Sequence, residues 1–207
     1  MMDPTFYISA FVALFVIIDP IGIAPVFLAL TQDHTDAERR AIGRRATLLA
    51  FGVLTLFGLL GEAVLGFVGI SMPAFRIAGG ILLFLTALDM LFERRTKRRD
   101  HTAEEHERPD PSVFPLTVPL LAGPGAITTM ILLVGESDGP LQAAGVYVVM
   151  ALVLAVVAAL FRAANLLQRA LGRTGTVVAT RLLGMLLAAL SVQFVLDGLM
   201  ASTLVPA

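Results

Sequence analysis

Six stretches of this 207-residue chain are apolar for close to the length that crosses a bilayer. A hydrocarbon core of ~30 Å needs roughly 20 mostly apolar residues per helix. The runs fall near residues 5–31, 46–68, 72–92, 113–135, 141–167 and 177–204. They predict an all-α membrane protein with six transmembrane helices. Composition agrees: 57% of residues are apolar and 15% charged, against about half and a quarter in a soluble domain. Cysteine is absent, which excludes disulfides, thiolate metal sites and a cysteine nucleophile. The first run follows Asp3 with no basic segment and no small-residue cleavage pattern before the acid, so it reads as a retained helix.

Short polar joints separate most runs: "TQDHTDAERRAIGRR", "GISMP", "GESDGP" and "ALGRTG". One connection, 93–112, is long and charged. It divides the chain into a first three-span unit (1–92), a linker (93–112) and a second three-span unit (113–207). Basic residues set the orientation. Thirteen of the fifteen Lys and Arg fall on alternate connections: Arg39, Arg40, Arg44 and Arg45, then six between 94 and 108, then Arg162, Arg169 and Arg173. Such loops stay in the cytoplasm, so both termini are expected outside.

The two units resemble each other. Pro20 and Pro124 lie 104 positions apart, Arg76 and Arg181 105, Gly79 and Gly184 105, and Asp89 and Asp197 108. Three spans per unit is an odd number, so the second unit enters the membrane from the opposite face. The expectation is an inverted repeat, a construction of secondary transporters.

Two spans carry helix breakers. "VIIDPIGIAPVF" (16–27) holds Asp19, Pro20, Gly22 and Pro25, and "AGPGAITT" (122–129) holds Gly123, Pro124 and Gly125. Proline removes a donor and clashes with the preceding turn, and the residue before it leaves helical geometry. The first helix is expected to stop near Asp19 and to restart between Ile21 and Ala24. The breaks stand roughly 12 to 15 residues inside their spans, about 18–22 Å at 1.5 Å per residue. Helices 1 and 4 are therefore expected to be broken near the midplane.

A helix restarted there exposes N–H groups that suit an anion, and the preceding carbonyls suit an ammonium group or a cation. Facing breaks across a central cavity would make a site for a small zwitterion. Asp19 has two readings, a proton or sodium carrier or the cap of the restarted helix; a charge at that depth costs roughly 3 kcal/mol or more. Thr128 and Thr129 either donate to a solute or bond their own helix. Arg76 and Arg181 have two readings, a substrate or gating role or, more simply, interfacial residues with an ion pair to a loop acid. The histidines lie in charged loops without metal spacing, and no nucleophile elbow or phosphate loop occurs, so no enzyme, metal site or cofactor is expected. Acids directly after "RRTKRR" argue against nucleic acid.

"DPIGIAPVFLALT", "AFRIAGGILLFLTALDML", "PLLAGPGAITTMILL" and "TRLLGMLLAALSVQFVLDGL" together resemble the MarC-type integral membrane proteins, a neutral amino acid transporter family of bacteria and archaea. The resemblance implies six spans in the cytoplasmic membrane and movement of small neutral amino acids, glycine or alanine, coupled to protons or sodium. It carries Asp19, Pro20, Gly22, Pro25, Gly123, Pro124 and Gly125 over as site residues; Thr128 and Thr129 join them from the reading above. A broad drug or metabolite exporter and a non-transporting membrane scaffold remain the alternatives, and a homo-oligomer stays open.

Overall fold

The computed structural model describes residues 4–92 and 110–202, and all regular structure among them is helical. The helices are α1 (Pro4–Ile18), α2 (Pro20–Leu30), α3 (Asp36–Val68), α4 (Met72–Leu91), α5 (Ser112–Leu121), α6 (Pro124–Gly135), α7 (Pro140–Arg162) and α8 (Ala164–Met200). Five stretches are long and apolar enough to cross a membrane: Pro4–Leu30, Asp36–Val68, Met72–Leu91, Pro140–Arg162 and Thr174–Met200. The pair α5–α6, bent by 56°, makes a sixth if counted as one span. The linker expected over 93–112 lies outside the described residues up to 109.

Two boundaries differ from the sequence reading. Helix α3 begins at Asp36 rather than near 46, because Thr35 and Glu38 form a reciprocal capping box. The Thr35 hydroxyl accepts from the Glu38 N–H at 3.3 Å, and the Glu38 carboxylate accepts from the Thr35 N–H at 2.8 Å. The charged turns that follow face outward, so a stretch taken for a joint is helix. At the other end α7 stops at Arg162, and "ALGRTG" lies inside α8. There the chain kinks at Gly172, whose φ of 61° suits only glycine without strain.

The surface is apolar, as lipid contact requires: Leu59, Phe67 and Leu152 are all exposed. Inside, Leu14, Ile18, Phe27, Met130 and Met150 are fully buried. The most extensive helix pair is α4 with α8, which run antiparallel and meet on glycines. A Cβ on Gly80 would lie 2.8 Å from the Ser191 carbonyl oxygen, and one on Gly198 3.0 Å from that of Pro73. Small residues let helix backbones approach where lipid supplies no hydrophobic drive.

Ion pairs tie the ends. Arg76 Nη2 reaches Glu136 Oε1 at 2.8 Å, joining the start of α4 to the end of α6. Arg45 Nη1 meets Asp110 Oδ2 at 2.6 Å, fastening α3 to the start of α5. Asp110 also accepts from the Ser112 hydroxyl at 2.6 Å and from its N–H at 3.0 Å. The Ser112 side chain first, then its backbone and Arg45, hold the Asp110 carboxyl below its ordinary value.

Three substitutions have expected outcomes for thermal unfolding of the detergent-purified protein. Gly80→Ala should lower the midpoint, with an overpacking cost of ~1–3 kcal/mol. Gly52→Ala, which meets nothing within 4 Å, should keep or raise it. Asp110→Asn should lose about 1 kcal/mol or less after solvent screening. Because the folded carboxyl titrates low, its contribution is present above the ordinary carboxylate range and fades as pH falls through the depressed value. The Asp110→Asn deficit should therefore shrink on acidification; a deficit constant with pH would contradict this role.

Candidate functional site

Asp19 stands between fifteen residues of α1 and eleven of α2. Its φ and ψ of 54° and 65° are left-handed, and it alone among the described non-glycine residues has a positive φ. Pro20 explains this locally, since it excludes the helical region for the residue before it. An aspartate tolerates the alternative by bonding its own backbone. The ladder resumes at once: the Asp19 N–H donates to the Phe15 carbonyl and the Ile23 N–H to the Asp19 carbonyl, both at 3.0 Å. Helix α2 restarts at Pro20, not between Ile21 and Ala24, and Pro25 lies inside it without ending it. The first span is thus disturbed at one residue rather than opened into two separated half-helices.

The Asp19 side chain is completely buried. Its Oδ1 accepts from the Gly22 N–H at 3.0 Å, capping α2. The group at this helix start is therefore the protein's own carboxyl, and the capping reading of Asp19 is realised in the geometry. Gly22 is required for closeness: a Cβ there would strike the Asp19 carboxylate and stand 2.8 Å from the Thr180 hydroxyl of α8.

The second interruption is wider. Helix α5 is wound in wide turns, and Phe114 (φ −130°, ψ 126°) and Val118 (φ −118°, ψ 122°) are extended inside it. Each precedes a proline, Pro115 and Pro119, so the same steric rule governs both. The sequence reading located the break only at Gly123–Gly125; the irregularity begins at Phe114, nine residues earlier, and "FPLTVP" was its signal. The Thr117 hydroxyl compensates by donating to the Ser112 carbonyl at 2.6 Å, and it lies 3.1 Å from the Ala46 carbonyl of α3.

Helix α6 then starts at Pro124, exposed at its first position, after Gly123. A Cβ on Gly123 would collide with the Pro119 carbonyl. No side chain caps α6, which leaves its first N–H groups without a capping anion.

The two interruptions touch. A Cβ on Gly125 would lie 3.3 Å from Ile17 Cγ2 and 3.1 Å from Leu83 Cδ2, so α6 starts directly against α1 and α4. At this contact the breaks pack against each other rather than across the open cavity expected from the sequence. Thr128, nearly buried, turns its methyl toward Gly79. Thr129 is fully buried, and its hydroxyl has no hydrogen-bond partner. Other hydroxyls in these helices bond the carbonyl four residues back, as Thr31, Thr47 and Thr86 do at 2.7–3.0 Å. Thr129 departs from that habit. Thr180, beside Gly22 and buried, escaped the sequence reading, because a lone threonine in an apolar helix ordinarily back-bonds. Gln193 donates to Asp197 in its own helix at 2.7 Å.

Among the described residues, no group of three or more His, Cys, Asp or Glu side chains could hold a metal ion.

Comparison with known proteins gives the chain its relatives. Residues 4–203 match the profile of the MarC family integral membrane proteins. A UPF0056 membrane protein of Archaeoglobus fulgidus is 39% identical over 94% of this chain and 92% of its own length. The UPF0056 membrane proteins YvbG of Bacillus subtilis and YhcE of Escherichia coli are each 36% identical, over 94% and 93% of this chain and 94% and 91% of their own lengths. No solved structure gives a significant match. With its several apolar helical spans and a family match over nearly its whole length, the chain belongs to the MarC family of integral membrane proteins.

Proposed function

We propose that the protein is a secondary transporter of a small zwitterion, a neutral amino acid of glycine or alanine size, coupled to protons or sodium. The observation that carries this reading is the fully buried Asp19 carboxyl at the interruption of the first span, two residues after Ile17, against which the uncapped α6 starts. A charge removed from water at such depth costs roughly 3 kcal/mol or more and is usually kept for function. The two interruptions divide the work by charge. The N-terminal end of α6, with the unpartnered Thr129 hydroxyl beside it, suits the solute's carboxylate. Asp19 and the carbonyls ending α1 suit its ammonium group or the coupling cation. Pro20, Gly22, Pro25, Gly123, Pro124, Gly125 and Thr128 shape the two ends and keep them close. The tight packing there corresponds to a state in which the path is shut; the solute enters when the halves move apart.

An inverted repeat supplies that motion. Its support is a reciprocal contact between α4 and α8. Gly80 approaches the Ser191 carbonyl, and Gly184 approaches the Ala87 carbonyl, with built Cβ distances of 2.8 Å and 3.4 Å. Gly80 and Gly184, like Ala87 and Ser191, stand 104 apart as Pro20 and Pro124 do, one residue short of the 105 that separates Arg76 from Arg181 and Gly79 from Gly184. Two such approaches are what a two-fold axis relating the units would generate. The basic residues on alternate connections put both termini outside the cytoplasmic membrane.

Proteoliposomes carrying the full chain should take up labelled glycine or alanine under an imposed proton or sodium gradient. Asp19→Asn should abolish the ion dependence. Thr129→Val should weaken apparent affinity by roughly 3- to 10-fold, the equivalent of one hydrogen bond. If no amino acid moves under any gradient, the transporter reading falls. Unchanged ion-driven flux in Asp19→Asn would remove Asp19 from the coupling.

A further inference from the structure

A cavity of about 340 Å³ lies at the far end of α2, away from both interruptions. Arg39, Arg40 and Arg44 of α3 and Arg162 of α7 line it, with Asp36 as the acid among its lining residues. Its size is at the lower end of small-ligand pockets. Four guanidiniums around one hollow repel one another unless an anion joins them.

The walls are preformed. Phe27 and Phe161 stack with ring centroids 4.1 Å apart and planes within 8°. Gly43 admits the pair, since a Cβ there would lie 3.3 Å from both rings. Arg39 is held in place by its Nη2, which donates to the Thr31 carbonyl at 3.1 Å where α2 ends. Its buried Nε has no partner. Arg162 donates through Nη1 to the Ala158 carbonyl at 3.2 Å. Each guanidinium has five N–H donors, so these bonds leave most of the donors around the cavity uncommitted. Planar forked donors match the oxygens of a phosphate group.

We propose that this cavity is a binding site for a phosphate-bearing anion. Arg162 ends α7, the depth at which lipid headgroups lie, so the anion comes from an acidic phospholipid headgroup or from a soluble phosphate. The site is separate from the proposed transport path.

The full chain, purified in detergent, would be exposed to phosphatidylglycerol or phosphatidylcholine and examined by native mass spectrometry. In parallel, its unfolding midpoint would be followed while inorganic phosphate is titrated at constant ionic strength. Arg39→Gln with Arg44→Gln removes two lining charges. Arg40→Gln with Arg162→Gln removes two exposed ones and serves if the first variant misfolds. Arg169→Gln, exposed on α8 and outside the cavity lining, is the charge control.

Retention of phosphatidylglycerol over phosphatidylcholine by wild type and Arg169→Gln, reduced roughly tenfold in the double variants, supports a lipid headgroup. A phosphate-induced rise in midpoint, lost in the double variants and without lipid preference, supports a soluble phosphate. Equal behaviour of wild type and double variants toward both probes overturns the site. So does a loss in Arg169→Gln as large as in the double variants, because diffuse charge would then explain the binding.

Discussion

In hydrocarbon, a peptide group without a hydrogen-bond partner costs several kcal/mol, and this protein carries prolines where two of its spans should be regular. Every irregularity must therefore be closed by the protein itself. At Asp19 the repair is local: the carboxylate takes the Gly22 N–H, and the ladder continues on either side. Around Pro115 and Pro119 a side chain takes part, the Thr117 hydroxyl donating to the Ser112 carbonyl, while α5 lies against α3 near Ala46. The two interruptions meet at Ile17 and Gly125, both buried, while Val118, Pro119 and Pro124 stay exposed.

The same constraint explains the glycines. Buried turns of irregular backbone leave little room for side chains, and helices around them must come close. Gly22, Gly123 and Gly125 stand at the interruptions, while Gly80, Gly184 and Gly198 seat α4 against α8. Charged groups are kept to the ends, where Arg76 with Glu136 and Arg45 with Asp110 bridge elements.

Much of this was legible in the chain. Five of the six expected spans and most boundaries follow from apolar length, and Asp19, Phe114 and Val118 leave helical geometry ahead of their prolines as sterics demand, whereas Ala24 stays helical ahead of Pro25. Two signals were present and passed over: Thr35 with Glu38, which starts α3 ten residues early, and "FPLTVP", which distorts α5. The expected wide break at Asp19 was too large, because one left-handed aspartate absorbs what looked like a gap. Pro25 likewise only removes a donor from a helix that continues.

The sequence by itself determined that the chain is helical and membrane-embedded, where its backbone must deviate, and which end carries the charge. These are properties of runs and neighbouring residues, governed by transfer free energy and local sterics. Only the tertiary structure decided what each deviation faces: Thr180 beside Gly22, Ile17 against Gly125, Thr129 without a partner, four arginines around one hollow. Those pairings join residues far apart in the chain, and helix packing, which has no local code, selects them.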